Sequence, residues 1–203
     1  MKPPELAVCD TSKKSTLQRV GPEVMRQRLV QAATDLFLAE GFAATSIERI
    51  AEEAGCSKGM FSTHFRGKAV IGHDVADILC DRAIQRIQRF QPTDTNELVI
   101  TLARWTSILV TRPGWASLER TLADLDPDNP ATARRIARMR EAVAELLTTA
   151  MNPGIPRRDA DTVVMLLLSL VIGIADQHLH GLGIPGTAIR PHIELVLRSA
   201  VPA

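Results

Sequence analysis

Residues 45–65 read TSIERIAEEAGCSKGMFSTHF, and this stretch predicts two short helices joined by a tight turn. Thr45 followed three residues later by Glu48 has the spacing of a capping box, which predicts a first helix beginning at Ser46. Gly55 suits the left-handed residue that ends such a helix. The apolar residues of this helix repeat on one face, at Ile47, Ile50, Ala51 and Ala54.

The second helix of the stretch is predicted over residues 58–64. Ser57 offers a second N-cap, and Phe61 and Phe65 stand four residues apart on one face. Two short helices joined by a glycine turn form a helix-turn-helix, whose second helix fits the major groove of DNA, about 12 Å wide. The residues left facing outward are Lys58, Gly59, Met60, Ser62, Thr63 and His64. We expect this set to touch phosphates and base edges.

Further residues around the helix-turn-helix complete a recognisable pattern. They are residues 29–37 (LVQAATDLF), Gly41, Thr45-Ser46, Ile50-Ala51, Ala54-Gly55, Ser57-Lys58-Gly59, His64-Phe65 and Lys68. Together they resemble the N-terminal domain of TetR-type transcriptional regulators, over about a quarter of the chain.

The resemblance implies a role for each matching residue. Thr45 and Ser46 would touch phosphates at the start of the second helix, and Lys68 would clamp a phosphate at the start of the fourth. The third helix would carry recognition, with Lys58, Gly59, Met60, Thr63 and His64 in or beside the groove. The family usually has a phosphate-binding tyrosine where this chain has Ser62.

Charge supports local rather than general attraction to nucleic acid. The formal net charge of the 203 residues is +1, far from the basic balance of a nonspecific binder. Residues 1–68 hold ten Lys or Arg against eight Asp or Glu, and the remainder holds fourteen against fifteen. DNA binding must therefore depend on where individual charges are placed.

Cysteine usage and the first residues indicate a cytoplasmic protein. Cys9, Cys56 and Cys80 are odd in number and have no metal-ligand spacing, which favours a reducing compartment. Cys56 is expected to be a small buried residue of the turn rather than a redox sensor. The first residues lack the basic-then-apolar plan of a signal peptide.

The chain is predicted to be all-α, with about nine helices in two domains. Residues 1–20 predict a mobile tail, and residues 21–67 a three-helix DNA-binding domain whose first helix begins at Pro22. Residues 68–203 predict a helical ligand-binding and dimerisation domain. We expect its helices over residues 68–90, 97–111, from Pro113 to the acidic loop 124–129, from Pro130 to 152, and over 162–175 and 187–201.

The helices of the second domain differ in the faces they offer. Residues 97–111 are apolar nearly all round, which predicts an interior helix. Residues 162–175 are the most apolar segment, yet shorter than the roughly 20 residues that span a bilayer. This segment and the last helix, from each of two subunits, could form a four-helix bundle, and the resemblance likewise implies a homodimer. The arginines Arg134, Arg135, Arg138 and Arg140 are expected on a solvated outer face.

A ligand pocket in the second domain is implied by the resemblance and permitted by composition. Its candidate apolar walls are Trp105, Met139, Val143, Met165 and Leu166, and its candidate polar anchors are Arg104, Asp176, Gln177 and His178. Each wall residue has ordinary core packing as its alternative.

No catalytic residues, cofactor or metal are predicted. The histidines of Gln177-His178-Leu179-His180 stand two residues apart and point to different helix faces, so a metal site is not favoured. Neither a nucleophile motif nor a phosphate-binding glycine loop occurs.

The favoured interpretation is a dimeric repressor that binds a palindromic double-stranded operator and is released by a small, largely apolar effector. Two alternatives remain open. One is a helical small-molecule-binding protein or enzyme with an incidental helix-turn-helix, and the other is a protein-interaction module that has lost DNA affinity.

Overall fold

The computed structural model describes residues 21–111, 115–149, 156–179 and 186–200. Nine α-helices and no strands occur in these ranges, which confirms the predicted all-α fold. The helices are α1 Pro22–Ala39, α2 Ile47–Glu53, α3 Lys58–His64, α4 Lys68–Arg89, α5 Thr95–Thr111, α6 Trp115–Leu125, α7 Pro130–Thr149, α8 Arg157–Leu179 and α9 Gly186–Ala200. The predicted tail, residues 1–20, lies outside the described residues.

The cap of α2 differs from the prediction by one residue. Ser46, not Thr45, is the N-cap, and its hydroxyl oxygen accepts a hydrogen bond from the Arg49 amide at 3.0 Å. Thr45 is 1% exposed and donates its hydroxyl to the Gly41 carbonyl at 2.8 Å. The predicted capping role of Thr45 is therefore wrong, because its hydroxyl closes the preceding turn instead.

The turn and the second helix form as predicted. Gly55 has φ +70°, a left-handed conformation that costs glycine little. Ser57 caps α3 by accepting from the Met60 amide at 3.2 Å. Phe61 and Phe65 are 1% and 2% exposed, and burying each of these rings contributes about 1.5–3 kcal/mol.

The hydrophobic core beneath the helix-turn-helix draws on more than three helices. Leu29, Phe37 and Ile50 pack there with residues of α4 and with Leu118 and Leu122 of α6. We call this set the amino-terminal core. The core therefore extends past residue 67, while the boundary between two domains at 67/68 stays a prediction.

A close approach fixes α4 against this core at Gly72. A Cβ placed there would lie 2.9 Å from the Phe42 ring and 3.0 Å from a Leu122 methyl. The absence of a side chain at this position lets α6 and the loop after α1 meet on the same turn of α4.

A second core, the carboxy-terminal core, holds the other half of α4 together with α5, α7, α8 and α9. Helix α5 packs mainly against α9 and α8, which confirms the predicted interior position. It begins two residues earlier than predicted, because Asp94 accepts from the Glu97 amide at 2.7 Å and caps the helix. Predicted features at Pro113 and at residues 150–155 and 181–185 lie outside the described residues.

The predicted outer position of Arg135 is wrong. Arg135 is 0% exposed, and its Nε and Nη2 donate to the two carboxylate oxygens of Glu119 at 2.6 and 2.8 Å. Its Nη1 donates to Asp77 at 3.1 Å, so one side chain joins α7 to α6 and α4. Arg135 lies four residues from both Ala131 and Met139, on the face of α7 that packs inward. Arg134 and Arg138 are exposed as expected.

Candidate nucleic-acid interface

Helix α3 presents its polar residues to solvent. Lys58, Gly59, Met60, Ser62 and Thr63 are exposed, while Phe61 between them is buried. The predicted inward and outward faces of this helix are therefore correct. A short helix with one face anchored by aromatic rings and the other free has the form needed to enter a major groove.

The hydroxyls on this face are oriented by the helix itself. Ser62 donates to the Lys58 carbonyl at 3.1 Å and Thr63 to the Gly59 carbonyl at 3.0 Å. Both oxygens keep lone pairs on the exposed side, where they can accept hydrogen bonds from base edges or water. His64, at the last position of α3, is partly exposed.

Lys58 is paired across the helix-turn-helix. Its ammonium lies 2.6 Å from a carboxylate oxygen of Glu48 on α2, and both side chains are well exposed. The hydrogen bond from Lys58 is the main cause that lowers the pKa of Glu48 below its usual value. Lys58 must therefore leave or share this carboxylate to contact a phosphate or a base.

Lys68 is the first residue of α4, where the resemblance implies a phosphate contact, but its ammonium has partners within the protein. Its ammonium donates to the carbonyl oxygens of Phe42 and Thr45, each at 2.9 Å, and lies 4.5 Å from the centre of the Phe42 ring. Partial burial lowers the pKa of this ammonium. Lys68 thus holds the loop between α1 and α2 against α4, and most of its donor capacity is used inside the protein.

The other implied phosphate contacts lie at the start of α2. Ser46 is exposed, but Thr45 is buried with its hydroxyl turned inward. The side chain of Thr45 consequently offers no surface to a phosphate.

The sequence did not predict which arginines near this face form ion pairs. Arg49 lies within 4.0 Å of carboxylates of Glu40, Glu52 and Glu53. Arg66, in the turn between α3 and α4, is exposed and has no ion pair among the described residues. A cation two residues beyond the recognition helix is a candidate phosphate contact, and its position after His64 was the available signal.

The predicted ligand-binding residues whose side chains the structure describes lie at several separate places. Met139 is buried in the carboxy-terminal core, and Val143 packs against that core. Arg104 and Gln177 are exposed. Met165 and Leu166 are 48% and 53% exposed on α8, and neither belongs to the carboxy-terminal core. The side chains of Asp176 and His178 lie outside the described residues.

Two recesses flank Phe90 at the end of α4. Trp105 lines the larger one, of about 440 Å³, and meets the Phe90 ring edge-on at 5.1 Å between centroids. The smaller recess, of about 300 Å³, lies between α4 and α7. It is lined by Ile87, Gln88, Phe90, Gln91, Ala142, Glu145, Leu146 and Thr149. Of the residues predicted to form the walls of a ligand pocket, Trp105 therefore borders a recess in the structure.

Neither a metal cluster nor a membrane-spanning helix occurs in the described part of the chain. No three His, Cys, Asp or Glu side chains there come together to hold an ion. No helix there is both long and apolar enough to cross a bilayer. Cys56 is half-buried and Cys80 buried, and burial raises the pKa of both thiols, which makes them poor nucleophiles.

Known proteins match this chain in two ways. Residues 29–72 match the family model of bacterial regulatory proteins of the tetR family. A segment of 46 residues is 44% identical to the uncharacterized HTH-type transcriptional regulator YerO of Bacillus subtilis, and covers 23% of this chain. That segment spans only 16% of the curated relative.

Solved structures resemble the chain over most of its length. A tetR-family transcriptional regulator from Streptomyces coelicolor has a TM-score of 0.68 at 20% identity, covering 89% of this chain and 82% of that one. The regulator FadR of Bacillus subtilis, solved with stearoyl-CoA, has a TM-score of 0.61 at 14% identity, covering 87% and 99%. The chain therefore shares the fold of these solved regulators, and its residues 29–72 resemble the tetR family's helix-turn-helix segment.

Proposed function

We propose that the protein is a ligand-responsive transcriptional regulator, most simply a repressor, that binds a palindromic operator as a dimer. The observation that carries this proposal is the exposed face of α3, braced by buried aromatic rings within the segment that matches the tetR family. Regulators of this family are typically non-enzymatic, and we propose no catalytic activity.

The proposed contacts divide into positioning and reading. Met60 and Thr63 project from the middle of α3 and would meet base edges, where a methyl or hydroxyl distinguishes thymine or adenine. Ser46, at the start of α2, and Arg66, just after α3, would meet phosphates, which fix the register. Lys58 would leave its ion pair with Glu48 and contact DNA instead.

A dimer supplies the second recognition helix. Helices α8 and α9 leave the large apolar side chains Met165, Leu166 and Leu195 exposed in one subunit. Exposed apolar side chains on neighbouring helices favour burial against a second copy, as a four-helix bundle would provide. Two α3 helices held by such a bundle would enter successive major grooves about 34–36 Å apart.

The effector is proposed to act through α4. This helix starts beside the helix-turn-helix and ends between the two recesses at Phe90. A molecule bound there would favour one position of α4 and so move α3 relative to its partner. The complex of FadR with stearoyl-CoA supports the use of this fold for small-molecule binding.

The test is fluorescence anisotropy with the DNA upstream of the protein's own gene, with random DNA of the same length as competitor. We expect operator binding that Thr63→Ala weakens by about tenfold, the loss of one good base contact. Thr149→Ala is the matched control, because both hydroxyls donate to the carbonyl four residues earlier in a helix.

Two outcomes would contradict the proposal. Equal affinity for operator and random DNA would indicate that α3 does not read sequence. Tight binding of small molecules by a folded protein that binds no DNA would instead favour a carrier built on the same fold.

A further inference from the structure

Three arginines lie on one face of α4, at the end away from the helix-turn-helix. Arg82, Arg86 and Arg89 follow at i, i+4 and i+7, so their guanidinium groups share that face. All three are exposed, and none has an ion pair among the described residues. By contrast, Arg26, Arg49, Arg120, Arg135, Arg138, Arg158 and Arg190 each meet a carboxylate.

These arginines surround an aromatic wall. Together with Gln85, Phe90 and Trp105 they line the recess of about 440 Å³. Phe90 meets the indole at 66° between ring planes, which holds Trp105 in place while leaving it partly exposed. The indole of Trp105 offers a large apolar surface to a bound ring. The three arginines beside it can bind a negatively charged group on the same ligand.

The position of the cluster separates it from the proposed DNA interface. Arg82 is fourteen residues beyond Lys68 and Arg89 twenty-one, which at about 1.5 Å per residue places them roughly 20–30 Å along α4. Phosphates contacted around α3 would not reach this face. These three arginines therefore either bind an anion other than the phosphates near α3 or contact only water.

We propose that this recess binds an aromatic anion, a flat ring that carries a carboxylate or phosphate. The ring stacks on Trp105, and two of the three guanidinium groups hold the anionic group by paired hydrogen bonds. This assignment rests on the proposed function and deepens it, because it names the chemical class of effector. It differs from the expected largely apolar effector, because three of the six residues that line the recess are arginines.

Binding at this place would act directly on α4. The arginines belong to the helix whose first residue, Lys68, holds the loop before α2. Trp105 belongs to α5, which packs in the carboxy-terminal core. A ligand that spans both helices therefore favours one position of α4 relative to that core, and the effect is carried toward α3.

The test uses Trp105 as its own reporter. The chain has two tryptophans, so a Trp115→Phe variant of the full-length protein leaves Trp105 as the single source of indole fluorescence. The probes are 2-naphthoate, the neutral 2-naphthol, and adenosine 5′-phosphate, titrated without DNA. We expect the anions to change the fluorescence, with 2-naphthoate binding at least about tenfold more tightly than 2-naphthol. Adenosine 5′-phosphate distinguishes a nucleotide from a simple aryl acid.

The decisive variant is Arg82→Gln/Arg86→Gln/Arg89→Gln, which should lose at least about tenfold in naphthoate affinity while 2-naphthol is unaffected. Arg134→Gln is the matched control, an exposed arginine of α7 without an ion pair among the described residues. Equal binding of acid and alcohol, or full affinity in the triple variant, overturns the proposal.

A separate anisotropy titration with operator DNA tests the proposed regulator independently of the proposed anion site. Naphthoate binding by a protein that never binds DNA would refute the regulator and keep the anion site. Operator binding with no saturable response to any of the three probes would refute the anion site and keep the regulator.

Discussion

Lys68 illustrates how one side chain can serve the fold where a family pattern implies a DNA contact. Its ammonium has backbone carbonyl acceptors 23 and 26 residues away in the chain and a ring beneath it. Each of these contacts ties α4 to the loop before α2. The energetic role of Lys68 is therefore to fix the helix-turn-helix on α4.

Replacing Lys68 tests this role. Lys68→Met keeps the aliphatic stem and removes the charged hydrogen bonds, and we expect a loss of about 1–2 kcal/mol in the free energy of unfolding, reduced by partial exposure. The salt dependence of operator affinity should stay unchanged, because no phosphate contact is lost. Urea unfolding and anisotropy at several salt concentrations measure the two quantities.

Arg66→Gln serves as the comparison. This cation is exposed and has no ion pair in the described part of the chain, so its loss should leave stability within about 0.5 kcal/mol. The slope of log affinity against log salt should fall in magnitude by about one phosphate contact. If Lys68→Met flattens the slope and Arg66→Gln does not, the two assignments are reversed.

Helix α6 is held against α4 at Gly72, and Arg135 of α7 joins it to α7 and α4. At Gly72, any Cβ would meet both the Phe42 ring and Leu122. Gly72→Ala should therefore destabilise the protein by about 1–3 kcal/mol through overpacking, despite the better helix propensity of alanine. Gly59→Ala is the control, since a Cβ there meets nothing closer than 3.8 Å and should raise stability slightly. Thermal unfolding of both variants measures the difference, and a Gly72→Ala protein as stable as the parent would show that the side chains of Phe42 and Leu122 can move aside.

The second tie is the buried pair of Arg135 and Glu119. Burial alone lowers the pKa of Arg135, but Glu119 and then Asp77 raise it overall, so the group stays charged. Arg135→Met leaves Glu119 buried without its partner and should cost about 3–5 kcal/mol. Adding Glu119→Met should restore much of this loss, because the double variant no longer buries an unpaired carboxylate.

Urea unfolding of the single and double variants measures the coupling between the two side chains. Arg134→Met, at an exposed neighbour, should change stability by less than about 0.5 kcal/mol. A double variant as unstable as Arg135→Met would mean that packing of the long side chain, rather than its charge, holds α6 to α7.

The helices were predictable where the signal was local. Ser57 as a cap, the turn at Gly55 and two aromatic rings four residues apart predict α3 with the bounds that the structure has, whereas the cap of α2 is Ser46 rather than the predicted Thr45. Arg135 was not predictable in the same way, because a run of arginines resembles a solvated face until α4 and α6 are placed beside it. The acceptors of Lys68 are backbone carbonyls, which carry no residue-specific signal.

The recesses depend on how helices pack, so the sequence did not reveal them. Trp105 is predictable as a wall residue because it lies in a helix that is apolar nearly all round, whereas the arginines of α4 have the pattern of ordinary surface residues. The sequence predicts burial for Met165 and Leu166 because their side chains are apolar. Periodicity does not say whether that burial occurs within a subunit or between two.

In the described part of the whole molecule, three of the eight exposed large apolar side chains lie on the last two helices: Met165, Leu166 and Leu195. Leu195 is 69% exposed and Leu166 is 53% exposed, whereas Leu167, the next residue on α8, is 7% exposed within the carboxy-terminal core. Charge at these neighbouring positions on α8 should therefore have different consequences. A charge at Leu166 would affect dimer assembly, and a charge at Leu167 would affect folding of the subunit.

Leu166→Glu should give a folded monomer, because the charge would be buried only in a dimer, where desolvation opposes association. It should also lose operator binding, since one subunit presents a single recognition helix. Leu167→Glu should instead reduce the free energy of unfolding by several kcal/mol, because its charge enters the core of the subunit itself. Light scattering gives the mass, circular dichroism the fold, and anisotropy the DNA affinity. A Leu166→Glu protein that keeps the dimer mass at micromolar concentration would place the subunit interface away from this face of α8.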